Sequence, residues 1–128
     1  MIKGIGIDMV DIGEMKRYME TFGDVFVGRT FTKAEVTCAK ESPRPHEYLA
    51  AHFAAKEAVF KAVAHHTVGK KFDFRIVETL NEPDGAPIIV VNDKLQALLD
   101  EAGIHRLHIS ITTEKDYAAA FVIAESLS

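Results

Sequence analysis

Asp8, Glu57 and Lys61 are the residues whose types and spacing could carry chemistry in this chain. Glu57 and Lys61 stand four apart in an alanine-rich helical stretch, so their side chains leave the helix on one face, a turn apart. Asp8 ends the N-terminal run GIGID. A lone Glu to Lys pair of this kind is commonly a surface contact worth about 0.3 to 0.5 kcal/mol. A second carboxylate beside Glu57 changes the chemistry, because two adjacent anions repel unless a cation sits between them. An oxygen-only pair with no Cys or adjacent His suits Mg2+, which is held by one or two carboxylates together with substrate phosphates. Lys61 would then meet a phosphate on the same ion. Lys56 lies inside the apolar arc of the same helix, where it either snorkels to solvent or meets an anion.

The elements that must position these groups follow from periodicity. Residues 2 to 10 alternate as a strand, with Ile5, Ile7 and Met9 on one face and Gly4, Gly6 and Asp8 on the other. Glycines in a strand signal close approach of a helix or a ligand. The stretch from about 47 to 65, EYLAAHFAAKEAVFKAVAH, is the longest helical pattern, free of Gly and Pro. Leu49, Phe53, Phe60, Val63 and Ala64 form its core face, and a neighbouring side carries only Ala50, Ala54 and Ala58. That alanine side can lie against the Gly4/Gly6 track, which would bring Asp8 within reach of Glu57.

Ile12, Met15, Met19 and Phe22 suggest a short amphipathic helix, and Asp11 is its expected start. Thr32 with Glu35 is a capping box that opens a second short helix. The segment Ser42-Pro43-Arg44-Pro45 interrupts the chain before the long helix. Residues 75–80 and 87–91 read as strands around a turn at 81–85. Asn92 or Asp93 caps a helix with Leu95, Leu98, Leu99 and Ala102 on one stripe, stopped by Gly103. Strands at 107–113 and 117–123 flank Glu114-Lys115-Asp116 as a hairpin. The order β, α, α, α, β, β, α, β, β predicts a single α+β domain over 1–128, with a mainly antiparallel sheet packed against the long central helix.

Composition narrows the function classes. The chain has 128 residues, 48% hydrophobic, with a net charge of -4, and no apolar run approaches the roughly 20 residues of a membrane span. The start MIKGIGIDMV lacks the features of a secretory signal, and the single Cys38 forms no internal disulfide, so a reducing cytoplasm is expected. The acidic balance argues against nucleic acid, and a polyanionic partner would need a local basic patch. His65/His66 and His105/His108 are spaced so that they point apart, which argues against zinc. Cys38 reads as a packed thiol. Lys70-Lys71 reads as a solvated loop or a phosphate contact.

The runs GIGIDMVDI, RTFTKAE, HFAAKEAVFKAV and DGAPIIV together resemble the holo-acyl-carrier-protein synthases, the short-chain class of phosphopantetheinyl transferases. The resemblance covers nearly the whole chain in order, and pairing GIDxV with FAAKEAxxKA is its specific part. It implies transfer of the phosphopantetheine arm of coenzyme A to a serine of an apo acyl carrier protein, with release of adenosine 3′,5′-bisphosphate. By the same resemblance, Asp8 and Glu57 match Mg2+ ligands, Lys61 the lysine beside the pyrophosphate, and Lys56 the lysine of the AAKEA box, a coenzyme contact. His108 and Ser110 match the HxS strand, and Gly85 with Pro87 the GxP segment near the nucleotide. A homotrimer with active sites between subunits is also implied.

The chain departs from the family pattern at several positions. Glu14 stands where many members carry an arginine that meets the acidic carrier, leaving Lys16 and Arg17 for docking. His52 replaces the usual arginine, so the ribose phosphate falls to Arg44, Lys70 or Lys71. His65-His66-Thr67 replaces a glycine-rich turn, Phe72 a common tryptophan, and Thr112-Thr113-Glu114 the usual serine and histidine. A contrasting function class is a module that binds coenzyme A or another phosphorylated ligand without transfer.

Overall fold

A computed structural model describes residues 1–64 and 73–127. In chain order its elements are β1 (Ile2–Asp11), α1 (Ile12–Thr30), α2 (Lys33–Glu41), α3 (Pro45–Val63), a 3-10 turn (Phe74–Ile76), β2 (Glu78–Asn81), β3 (Pro87–Val90), α4 (Asp93–Ala102), β4 (Arg106–Thr113) and β5 (Tyr117–Glu125). Strand β5 lies between β1 and β4 in an antiparallel three-stranded sheet, and β2 pairs antiparallel with β3 in a two-stranded one. The expected α+β order and the β4/β5 hairpin are both present.

Helix α3 crosses the sheet with its backbone almost on β1. A Cβ added at Gly6 would lie 1.8 Å from the Ala58 carbonyl oxygen, and one at Gly4 would lie 1.9 Å from that of Ala62. Ala54, Ala58 and Ala62 are fully buried in this contact. The main core then closes around Val59 and Val63 of α3, Val77, Leu95 and Leu99 of α4, and Val122 of β5. A smaller cluster of Met15, Ala50, Ala51 and Ala118 seats α1.

The other face of the sheet is uncovered within one chain. Ile7 and Met9 are 61% and 65% exposed there, and Ile5 and Phe121 are also exposed. Cross-strand register aligns Ile7 with Phe121 and Ser110, and Ile5 with Ile123 and His108.

Three expectations change. Helix α1 is longer than read, running to Thr30 with a break at Gly23, whose φ of 45° and ψ of -125° are non-helical; Phe22, just before the break, is 52% exposed and packs on Tyr18. Helix α3 begins at Pro45, because proline suits the first helical turn. The strand expected from residue 75 begins only at Glu78, since Phe74–Ile76 forms a 3-10 turn capped by Asp73 Oδ1 accepting from the Arg75 amide. His65, His66, Thr67, Lys70, Lys71 and Phe72 lie outside the described residues.

Lys56 bonds both ends of that turn from inside the fold, which corrects its assignment as a coenzyme contact. The side chain is 0% exposed, and its ammonium donates to the Phe74 carbonyl (2.8 Å), the Val77 carbonyl (2.6 Å) and Glu35 Oε1 (2.8 Å). All three N–H donors are thus directed inward. Of the two sequence alternatives, Lys56 meets an anion, and the anion is protein.

Glu35 is equally saturated. Its Oε1 also accepts from the Thr32 amide, completing the capping box, and its Oε2 accepts from the amide and hydroxyl of Thr79 at 2.9 and 3.0 Å. The Thr79 proton being given to Glu35, His52 Nδ1 at 2.6 Å must be the donor to Thr79 Oγ1. Burial, then the Lys56 charge, lowers the His52 pKa to about 4. Tyr48 stacks on the imidazole with ring centroids 4.1 Å apart. Helices α2 and α3, the 3-10 turn and β2 are therefore tied by one buried polar chain.

Three tests address these contacts. Gly6→Ala should lower stability by about 3 kcal/mol or more, because backbone must move to admit the methyl group; an unchanged urea midpoint would remove the close-approach account. Lys56→Met should cost about 3 to 5 kcal/mol by stranding Glu35, and adding Glu35→Gln should recover part of that loss. His52 stays neutral in the fold while the unfolded chain protonates near 6.5, so stability should fall as pH drops from 6.5 towards 4, by about 3 kcal/mol. Denaturation of His52→Gln at pH 7 and pH 4 checks this: its pH-dependent loss should be smaller by that amount, and an identical loss would refute the assignment.

Candidate active site

The Gly4/Gly6 track continues into Asp8, so the same strand face that admits α3 presents the Asp8 carboxylate to it. Across the sheet Asp8 is level with Ala120, and Ile111 is next to that, which keeps the neighbouring positions apolar. On α3, Glu57 and Lys61 face the end of β1. The Lys61 ammonium donates to Asp8 Oδ1 at 3.2 Å and to the Ile7 carbonyl at 2.9 Å.

Asp8, Glu57 and Lys61 line one cavity of about 460 Å³. The Glu57 carboxyl is raised above the ordinary carboxylate range, first by burial and then by the negative charge of Asp8, with Lys61 acting in the opposite direction. The expected convergence of two carboxylates and an ammonium is therefore realised.

The donor set fits a hard divalent cation. Asp8 and Glu57 line the same cavity, and among the described residues no group of three or more His, Cys, Asp or Glu side chains could hold a metal. Mg2+ is commonly bound in this way, through one or two carboxylates with the remaining positions left to water and substrate oxygens. Burial first and the Asp8 charge second disfavour the ionised Glu57 carboxylate, and a cation between the two carboxylates would offset both.

The rest of the cavity wall was not legible in the sequence. Met15, Tyr18, Phe26 and Phe53 form an apolar side, and Asp11 and Glu14 add acidic groups at its edge. Asp11 also caps α1, Oδ1 accepting from the Glu14 amide at 2.9 Å. Tyr18 and Phe26 meet edge to face, 4.7 Å between centroids. Phe26 reaches the wall only because α1 resumes after its break at Gly23, and no sequence periodicity crosses that break.

The remaining predicted residues fall into other places. Arg44, Gly85 and Pro87 come together around a second cavity of about 240 Å³, with Ser42, Tyr48 and Asn81. Gly85 has φ 93°, a conformation that favours glycine in this turn. Arg44 is exposed and lies 3.6 Å from Glu47. Lys16 and Arg44 share a third cavity of about 740 Å³, and Arg17 is exposed on α1. His108 and Ser110 lie on the outer sheet face, and His108 Nε2 is 3.0 Å from Glu125 Oε1. His52, bonded inside the fold, offers nothing to a phosphate at the surface. Among the described residues of one chain, the first and second cavities share no lining residue.

Known proteins align with this arrangement over its whole length. The 4′-phosphopantetheinyl transferase superfamily matches residues 4–122. A holo-acyl-carrier-protein synthase of Halothermothrix orenii is 35% identical over 125 residues, 98% of each chain. The crystal structure of the Neisseria meningitidis synthase superposes with a TM-score of 0.86 at 36% identity, covering 98% of this chain and 100% of that one. A Bacillus anthracis synthase solved in complex with coenzyme A (3′,5′-ADP) gives a TM-score of 0.78 at 34% identity, covering 98% of both chains. With the GIDxV strand and the AAKEA helix meeting at one cavity, this chain belongs to the 4′-phosphopantetheinyl transferase superfamily, in its holo-acyl-carrier-protein synthase class.

Proposed function

We propose that the protein transfers the 4′-phosphopantetheine group of coenzyme A to a serine hydroxyl of an apo acyl carrier protein and releases adenosine 3′,5′-bisphosphate. The observation that carries this is the convergence of Asp8, Glu57 and Lys61 on one cavity in a chain of this family. The serine oxygen forms a bond to the phosphorus that bears pantetheine, the bond from that phosphorus to the bridging oxygen breaks, and the serine proton leaves.

Asp8 and Glu57 are the residues that would hold Mg2+, which supplies charge neutralisation on the diphosphate. The Lys61 ammonium adds a positive charge beside the departing phosphate. Met15, Tyr18, Phe26 and Phe53 give the cavity an apolar wall that disfavours water, and so favours transfer to the serine over hydrolysis. Exposed Lys16 and Arg17 lie on α1, the helix that also lines this cavity through Glu14, Met15 and Tyr18, and are the basic groups for docking the carrier.

The assembly that best completes such a site is a homotrimer. An uncovered sheet face bearing Ile5, Ile7, Met9 and Phe121 is an apolar patch suited to a second copy. Burying it would place His108 and Ser110 at a subunit boundary. Arg44, Gly85 and Pro87 of one subunit would then serve the nucleotide end of the coenzyme held at a neighbour's Asp8 and Glu57. A cytoplasmic location accords with the free, half-buried Cys38. Relatives named as synthases support transfer over the alternative of a non-transferring binding module.

Incubation with coenzyme A, Mg2+ and several apo carrier proteins, followed by intact-mass measurement, should show one carrier gaining a single phosphopantetheine. No gain on any carrier, with coenzyme A still bound, would defeat the transferase assignment. Glu57→Gln should slow this transfer by about a hundredfold or more with the fold retained; full activity in Mg2+ would remove Glu57 from the metal pair.

A further inference from the structure

Lys61 makes two contacts at once. The Ile7 carbonyl at 2.9 Å holds its ammonium beside β1, and Asp8 Oδ1 at 3.2 Å receives its charge. A monocation thus sits on one of the two carboxylates that would hold Mg2+. Two cations drawn to the same carboxylate repel each other, and they do so more strongly at a partly buried wall than in water. The Asp8 side chain is only 18% exposed, so solvent screens this repulsion incompletely.

The charge balance gives the repulsion a consequence. The formal charges of Asp8, Glu57 and Lys61 sum to one negative charge, with Asp11 and Glu14 adding acidic groups at the cavity edge, and a divalent ion held by the two carboxylates would make that trio one positive charge. A diphosphate is the complementary anion, and it also offers the ammonium new oxygen partners. The Lys61 side chain is 50% exposed and has a flexible four-carbon stem, so it can exchange a carboxylate for a phosphate without disturbing the core.

We infer that Lys61 couples metal and coenzyme binding: seated on Asp8 Oδ1, its ammonium opposes Mg2+ on the protein alone, and it favours the ion once a diphosphate draws the ammonium away. This rests on Asp8 and Glu57 being the metal pair. By thermodynamic linkage, coenzyme A then raises the affinity for Mg2+ by the same factor that Mg2+ raises the affinity for coenzyme A. The protein takes up ion and coenzyme together, and binds the bare ion weakly.

Calorimetric titrations without any carrier protein test this, since no turnover occurs. Mg2+ is titrated into the protein alone and into the protein saturated with coenzyme A, and coenzyme A is titrated with and without Mg2+. The wild-type chain should show a coupling of about tenfold. Lys61→Met should bind Mg2+ alone about tenfold more tightly than wild type, with its coupling reduced towards one. Lys61→Arg keeps the charge and should keep weak binding of the bare ion. Lys61→Met binding the bare ion no more tightly, with coupling intact, overturns the inference while leaving the metal pair standing. Mg2+ binding neither the wild-type protein nor its coenzyme complex overturns the metal pair itself, and the inference with it.

Discussion

The contact between the backbone of β1 and the backbone of α3 is the constraint on which the rest of the structure depends. It exists because Gly4 and Gly6 have no side chain where the carbonyls of Ala62 and Ala58 lie, at distances that no Cβ tolerates. Close approach at two successive inward positions of the strand fixes the helix in both height and rotation. The third inward position is Asp8, and the helix residues at that level are Glu57 and Lys61. Glycines that look like a packing device are therefore what sets the geometry of the charged cluster. Glu57 is half-buried beside this seam and in the field of Asp8.

A second fixed point lies on the opposite side of α3. Lys56 is adjacent in sequence to Glu57 but faces away from the cavity, joined to Glu35 and two carbonyls inside the fold. Removing either ion would leave its partner charged and dry, whereas the intact network satisfies every donor and acceptor it contains. Its members come from α2, α3, the 3-10 turn and β2, so it adds directional bonds between segments that the apolar clusters also join. Two neighbouring ionisable residues thus do unlike work because the helix turns about 100° between them.

Much of this was legible from residue pattern. The strand alternation, the alanine side of the long helix, the capping box and the hairpin all obey local rules, and local rules act before tertiary contacts do. The convergence of Asp8 and Glu57 was readable because a bare strand face and a bare helix face have few ways to meet. Other features were not. Lys56 within an apolar arc left two outcomes open, and only the position of Glu35 twenty-one residues earlier decides between them. The second half of α1 was hidden because Gly23 interrupts its period, and with it the aromatic wall of Phe26 was missed.

By itself the sequence determined the order of elements, the small-residue seam between β1 and α3, the capping of the helices and the pairing of two carboxylates with a lysine. These depend on side-chain size, periodicity and hydrogen bonds only a few residues long. The tertiary structure alone decided that Lys56 is internal and Lys61 is at the cavity, that His52 is neutral and bonded to Thr79, and that Arg44, Gly85 and Pro87 gather away from Asp8. It also decided that Ile5, Ile7, Met9 and Phe121 share an uncovered face with His108 and Ser110. Those outcomes turn on which distant segment arrives at a given side chain. Burial and partner charge, unlike helical period, are properties of the assembled chain.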